Sequence, residues 1–158
     1  MKKSILCIIS FFFFQIVSAY DIKVDDLYYN INKETKEAQV TFGPWGSYQY
    51  RSNEGEYSGS VIIPELISVE GEQYNVTSID EVAFLKCPKL TDVFIPKTIK
   101  SIGIEAFEGC ANLNTVTLSD GVCKIGELAF NGTDITNLVI PNSVDSIGSS
   151  AFINCKSL

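Results

Sequence analysis

A solenoid of short parallel coils is the fold class this sequence predicts, and three observations predict it. The phrase Ile-Gly-x-x-Ala-Phe recurs four times, as Ile79-Asp80-Glu81-Val82-Ala83-Phe84, Ile102-Gly103-Ile104-Glu105-Ala106-Phe107, Ile125-Gly126-Glu127-Leu128-Ala129-Phe130 and Ile147-Gly148-Ser149-Ser150-Ala151-Phe152. The Ala-Phe pairs are spaced by 23, 23 and 22 residues. Between them a second phrase, Val-x-Ile-Pro, returns at Val93 to Pro96 and at Val139-Ile140-Pro141. A fixed period in the twenties means that each copy buries its apolar face only against its neighbours. The expected architecture is short parallel strands joined by short helical or 3₁₀ turns, about 23 residues per coil, behind a β-rich N-terminal cap. Such a scaffold presents surfaces rather than a closed catalytic pocket.

Residues 1–19 read as a secretory signal. Lys2 and Lys3 form a charged start, Ile5 to Val17 an apolar run, and Val17-Ser18-Ala19 offers small residues for cleavage after Ala19. A membrane anchor is the alternative, but the apolar run is short for a full span. Cys7 lies inside that run rather than at its end. Removing Lys2 and Lys3 leaves ten Lys and Arg against nineteen Asp and Glu, a net charge of −9. That surface repels phosphate backbones, so no nucleic acid is expected as a partner.

Residues 20–78 differ from the repeats and read as a cap with the first, entering repeat. Leu27 to Ile31 and Ala38 to Phe42 read as two strands around Asn32 to Lys36, a hairpin. Ser60-Val61-Ile62-Ile63-Pro64 matches the strand phrase of the repeat, and Ile67-Ser68-Val69 and Gln73 to Val76 flank a second turn at Glu70-Gly71-Glu72. An atypical unit of this kind covers the apolar edge at the start of a solenoid. Between the two hairpins, Trp45, Tyr48, Tyr50 and Arg51 form a loop with the composition of binding loops. The alternative is that Trp45 and Tyr48 pack the cap over the first coil.

Residues 79–158 hold the repeats proper. The first full copy sets Cys87, Leu90, Val93, Ile95, Pro96, Ile99, Ile102, Ala106 and Phe107 at the apolar positions. The second has Cys110, Leu113, Val116, Leu118, Val122, Ile125, Ala129 and Phe130; the third has Thr133, Ile135, Leu138, Ile140, Val144, Ile147, Ala151 and Phe152. Val-x-Ile alternates with period two, so Val93 and Ile95 point inward on a strand. Leu158 falls where the next strand is due, so the repeats are expected to be truncated at the C-terminus.

Cys87, Cys110 and Cys155 share one repeat position, three residues after the Phe, with Thr133 in the remaining copy; Cys123 lies elsewhere. Export permits disulfides, and coils stacked about 5 Å apart allow a Cys87–Cys110 bridge. A residue recurring in register is better explained as a small buried side chain, so free thiols are expected. Neither cofactor nor metal is expected: the spacing is not that of a zinc site, and there is no phosphate-cradling glycine loop. The chain has no histidine, which removes Ser-His-Asp and Cys-His nucleophile systems from this region. Its carboxylates, such as Glu81, Glu105, Glu127 and Asp145, sit at variable coil positions and read as solvated surface. The candidate site is therefore a surface. The outward strand column Ile62, Phe94, Thr117 and Val139, flanked by Asp92, Thr115 and Asn137, would place an apolar strip in the open, with incidental exposure as the alternative.

The phrases Ile102-Gly103-x-x-Ala106-Phe107-x-x-Cys110-x-x-Leu113 and Val-x-Ile-Pro resemble the BspA-like leucine-rich repeats, also described as the Treponema pallidum type, over about Tyr57 to Leu158. Asp80 in place of the first Gly and Ser119 in place of one Pro depart from the pattern. The resemblance implies a leucine-rich-repeat solenoid, secreted or at the cell surface. It implies a binding protein rather than an enzyme, with a protein or glycan ligand on a host or neighbouring cell and a membrane link only through an anchor outside these residues. It supplies no catalytic residues. The alternative is a targeting module of a larger secreted enzyme whose catalytic domain lies beyond Leu158; a structural spacer is a third reading.

Overall fold

The computed structural model describes residues 20–43 and 57–158. Residues 1–19, read as a signal, and the loop residues Trp45, Tyr48, Tyr50 and Arg51 lie outside the described residues. Leu27 and Tyr29 are buried while Tyr28 and Asn30 are less so, the alternation of a strand with one covered face. That strand, β2 (Leu27–Asn32), follows a three-residue strand, β1 (Ile22–Val24), which is too short to show a period in the sequence. Asn32 then accepts hydrogen bonds on Oδ1 from the amides of Glu34 and Thr35, a local turn that returns the chain as β3 (Glu37–Thr41). The expected first hairpin is thus present, with Tyr29 opposite Val40.

The second hairpin follows β4 (Ser58–Ile62) and joins β5 (Leu66–Val69) to β6 (Glu72–Ile79). Its two turn residues, Glu70 and Gly71, have φ of +53° and +84°. Positive φ at both centre positions matches the twist of a two-residue hairpin. β6 also pairs in parallel with β3, which attaches the first hairpin to the sheet that follows.

Beyond β6 the repeat copies lie side by side in two parallel sheets. The Val-x-Ile strands form one: β4, β7 (Lys89–Ile95) and β9 (Thr115–Leu118), extended by a bridge from Thr115 to Asn137. The other runs from Ser78-Ile79 through β8 (Ser101–Ile102), β10 (Lys124–Ile125) and β11 (Ser146–Ile147), each Ser-Ile or Lys-Ile pair in register with the next. Two-residue strands leave no periodic trace, so the sequence predicts only the first of these sheets.

The Ala-Phe segment differs from expectation: the described residues contain no helix. The residue before each Ala, namely Val82, Glu105, Leu128 and Ser150, has φ between +54° and +57°. A left-handed residue stops helical propagation and leaves single turns, such as Leu85 N–H to Val82 O at 3.0 Å. The amides thereby released point along the stack. Val82, Phe84 and Lys86 donate to Ile104, Ala106 and Glu108 at 2.7–3.0 Å, and the next coils repeat the pattern, as in Phe107 to Ala129 at 2.8 Å. The recurring glycine just upstream permits this approach. A Cβ on Gly126 would lie 2.5 Å from the Gly103 carbonyl carbon, closer than heavy atoms tolerate.

Inside, the phenylalanines form a column. Phe84, Phe107, Phe130 and Phe152 stack with centroids 4.8, 5.2 and 5.4 Å apart and planes within 7°. Tyr57 continues the column 4.6 Å from Phe84, so the N-terminal segment and the repeats share one core. The recurring cysteines sit beside it. Cys110 and Cys155 donate their thiols to the Phe carbonyl of the preceding coil, Phe84 at 2.9 Å and Phe130 at 3.1 Å. Thr133 instead donates to the Phe130 carbonyl of its own coil at 2.9 Å, so thiol and hydroxyl each find a Phe carbonyl but not at the same relative position. None of the four cysteines of the described residues is in a disulfide, with Cys87 and Cys110 buried and Cys123 and Cys155 partly exposed. In the last copy Ile140 and Ile147, read as core positions, are exposed, because no further coil lies over them in this structure.

Two outcomes follow from this packing. Phe107→Ala, which removes a ring held between two others, is expected to cost about 3–5 kcal/mol in urea unfolding, whereas Phe152→Ala at the half-buried end costs clearly less; equal costs would contradict a shared column. Alkylation of the folded protein, read by mass, should label Cys123 and Cys155 well before Cys87 and Cys110; simultaneous labelling would mean the coils open as readily as the surface.

Candidate binding face

Alternation along the longer strands decides what faces solvent. Val93 and Ile95 point into the core and Phe94, between them, points out. Register carries that direction across the sheet: Ile62 lies opposite Phe94, and Phe94 opposite Thr117. Ile62 is 71%, Phe94 42% and Val139 76% exposed. The flanking row is equally ordered, with Asp92 opposite Thr115 and Thr115 bridged to Asn137. Pairing therefore places six of the seven residues nominated from the sequence on one face in two adjacent rows, and Val139, exposed two residues beyond Asn137, borders the same groove as Thr117. Thr91 donates to the Asp92 carboxylate at 2.6 Å and Thr115 to Asn114 Oδ1 at 2.8 Å, so the polar row is pinned locally. A shallow groove of about 310 Å³ runs past Thr115, Thr117, Thr136, Asn137 and Val139.

The opposite sheet has a different character. Its outward row, aligned by register, reads Asn30, Gln39, Ser78, Ser101, Lys124 and Ser146. Every member is polar. One face thus offers apolar area bordered by hydroxyl and amide groups, and the other a row of polar side chains. The first can exclude water against a partner surface; the second gains little by doing so.

The family model for the BspA type leucine rich repeat region matches residues 67–158, in 6 copies. Among solved structures, a leucine-rich repeat protein from Bacteroides ovatus is 30% identical with a TM-score of 0.63, over 88% of this chain and 40% of that one. The T. pallidum leucine-rich repeat protein is 25% identical with a TM-score of 0.68, over 87% of this chain and 58% of that one. A leucine-rich repeat protein from Bacteroides capillosus is 29% identical with a TM-score of 0.64, over 80% of this chain and 86% of that one. The chain thus spans 40% and 58% of the first two of these proteins. Among curated proteins, none matches the sequence.

One titratable residue escaped the sequence reading because it looked like a simple replacement of Gly. Asp80 stands where hairpin and repeats meet. Its carboxylate accepts from Thr41 Oγ1 at 3.1 Å, Asn30 Nδ2 at 3.5 Å and the Glu81 amide at 2.8 Å. Burial raises its pKa above the ordinary 3.8, against the lowering effect of those hydrogen bonds. A raised pKa means the folded state binds the proton more tightly, so Asp80 subtracts stability as pH rises through and above 3.8 and subtracts nothing well below it. Asp80→Asn, which keeps an acceptor for Glu81, should therefore raise the melting temperature at pH 7 relative to the wild type and lose that advantage near pH 3. A variant less stable at pH 7 than at pH 3, relative to wild type, would reverse the sign and show that the charge itself holds the junction.

Proposed function

Because this chain belongs to the BspA type of leucine-rich-repeat proteins, we propose that it is an exported, non-catalytic binding protein whose ligand docks on the face carrying Ile62, Phe94, Thr117 and Val139. The ligand is a protein or glycan on a host or neighbouring cell, and the biological role is adhesion. Residues 1–19 act as the signal, 20–78 as the cap and first repeat, and 79–158 as the coils of a solenoid. The in-register pair of rows, one largely apolar and one of Asp92, Thr115 and Asn137, carries this reading. Such a composition, apolar centre beside fixed polar groups, is what protein interfaces use to combine water exclusion with orientation. Parallel stacking repeats the arrangement along the array, so weak contacts add up across coils.

Two measurements test this. The exported product should begin at Tyr20, read from its intact mass; a chain retaining Lys2 and Lys3 outside the cell would contradict the signal. On arrays of extracellular proteins and glycans, a hit should weaken at least tenfold in the double variant Phe94→Asp, Val139→Asp, with its urea midpoint unchanged. A ligand that binds this variant as it binds wild type does not use the face.

A further inference from the structure

A second concavity adjoins that face at its N-terminal end. It measures about 450 Å³ and lies between the β1–β2 turn and β4. Asp25 and Asp26 stand on one wall, and Val61, Ile62 and Pro64 form the other. Tyr29 and Tyr57 line it as well. The two aspartates have no ion-pair partner among the described residues. Lys23 also borders the cavity, but its ammonium lies 5.2 Å from the Tyr28 ring centroid, engaged with that ring.

Two phenols line the inner end of the cavity. Tyr57 gives its hydroxyl to the Thr41 carbonyl at 2.9 Å, so it presents only its ring. Tyr29 is 1% exposed, lines the cavity, and has no hydrogen-bond partner for its hydroxyl among the described residues. Because the cavity is open to solvent, water is that hydroxyl's partner, and an incoming donor can take the place of that water. Burial first, and the Asp25 charge second, push this phenol above its usual range, so it stays neutral and able to accept.

We propose that this cavity is a subsite for a lysine or, better, an arginine side chain of the partner polypeptide, an inference that rests on the binding-face reading and names the partner's chemistry. A long cationic side chain fits each wall. Its alkyl stem lies along Val61, Ile62 and Pro64, its charge meets Asp25 and Asp26, and its donors reach the Tyr29 hydroxyl. A guanidinium also packs against aromatic rings and sheds water more readily than an ammonium, which favours arginine. Ile62 and Ser60 belong to the strand that begins the binding face, so a polypeptide laid along that face brings a side chain to the cavity without a change of course.

The test titrates the full chain at low ionic strength with N-acetyl-arginine methylamide and with its uncharged citrulline counterpart. Chemical shifts of the Ser60 and Ile62 amides and the Tyr29 ring provide the readout. The arginine probe should give saturable shifts, at least tenfold tighter than citrulline, weakened by salt. Asp25→Asn with Asp26→Asn should remove that preference; Asp25 has φ of +50°, a conformation Asn adopts as readily, so the turn is retained. Tyr29→Phe should weaken the arginine probe without altering the fold. Equal binding of the two probes, or arginine shifts that never saturate, overturns the proposal. Val139→Asp, at the far end of the sheet, separates the two readings. If it abolishes ligand binding on the arrays while the arginine probe never saturates, the subsite alone falls. If the arginine probe saturates while face variants leave ligand binding intact, the face reading falls and the cavity stands.

Discussion

The close approach of successive backbones at the Ala-Phe segment is the constraint from which the rest of the molecule follows. Alternate amides there donate to the next coil at 2.7–3.1 Å, and the rings they carry are brought to 4.8–5.4 Å. That spacing is the separation of neighbouring strands, so turn, strand and ring columns advance by the same step. Any residue that holds the backbones apart at one column would pull the others out of step. This is why the chain uses small Ala before the Phe, Gly where a Cβ would meet the preceding coil, and a left-handed residue where helical bonding would otherwise consume the amides.

The first coil shows the same rule by exception. Its neighbour on the N-terminal side is the β3 strand rather than another repeat, and the position held by Gly103, Gly126 and Gly148 becomes Asp80. With Thr41 and Asn30 in reach, a polar acceptor there bonds the hairpin to the repeats, while burial of its charge works against stability at neutral pH. Tyr57 does for the core what Asp80 does for the surface, extending the aromatic column with a ring whose hydroxyl is anchored on Thr41. The junction is held by substitutions at repeat positions, not by an added element.

Much of this was legible in the residues. The repeat period, the inward Val93 and Ile95, the two hairpins and the outward column all rest on patterns that a sequence carries openly. What stayed hidden has a physical cause in each case. The second sheet is built from two-residue strands, which have no period to detect. The left-handed backbone at Val82, Glu105, Leu128 and Ser150 is invisible because ordinary residues, even β-branched Val82, occupy it in place of Gly. The cavity beside Tyr29 joins residues more than thirty apart in sequence that only the fold brings together.

Repetition within one chain also separates what the scaffold requires from what it leaves open. Positions that face the column are filled alike in every copy: Ala before Phe, Ile before Gly or Asp. The outward position of the longer strands holds Ile62, Phe94, Thr117 and Val139, four different residues, so the coil does not dictate the choice. Strand propensity alone favours β-branched and aromatic residues, which would account for these four if it acted equally on both sheets. It does not: the outward row of the other sheet, in the same coils, is Ser78, Ser101, Lys124 and Ser146. Exposed apolar area costs solubility unless it is covered, and the two most exposed large apolar residues among the described residues, Val139 and Ile62, both lie in this one column, although Leu66, Ile104 and Ile153 are also exposed elsewhere. A difference in the paired rows that the fold does not require, between two faces of the same coils, is what the proposed binding face would need.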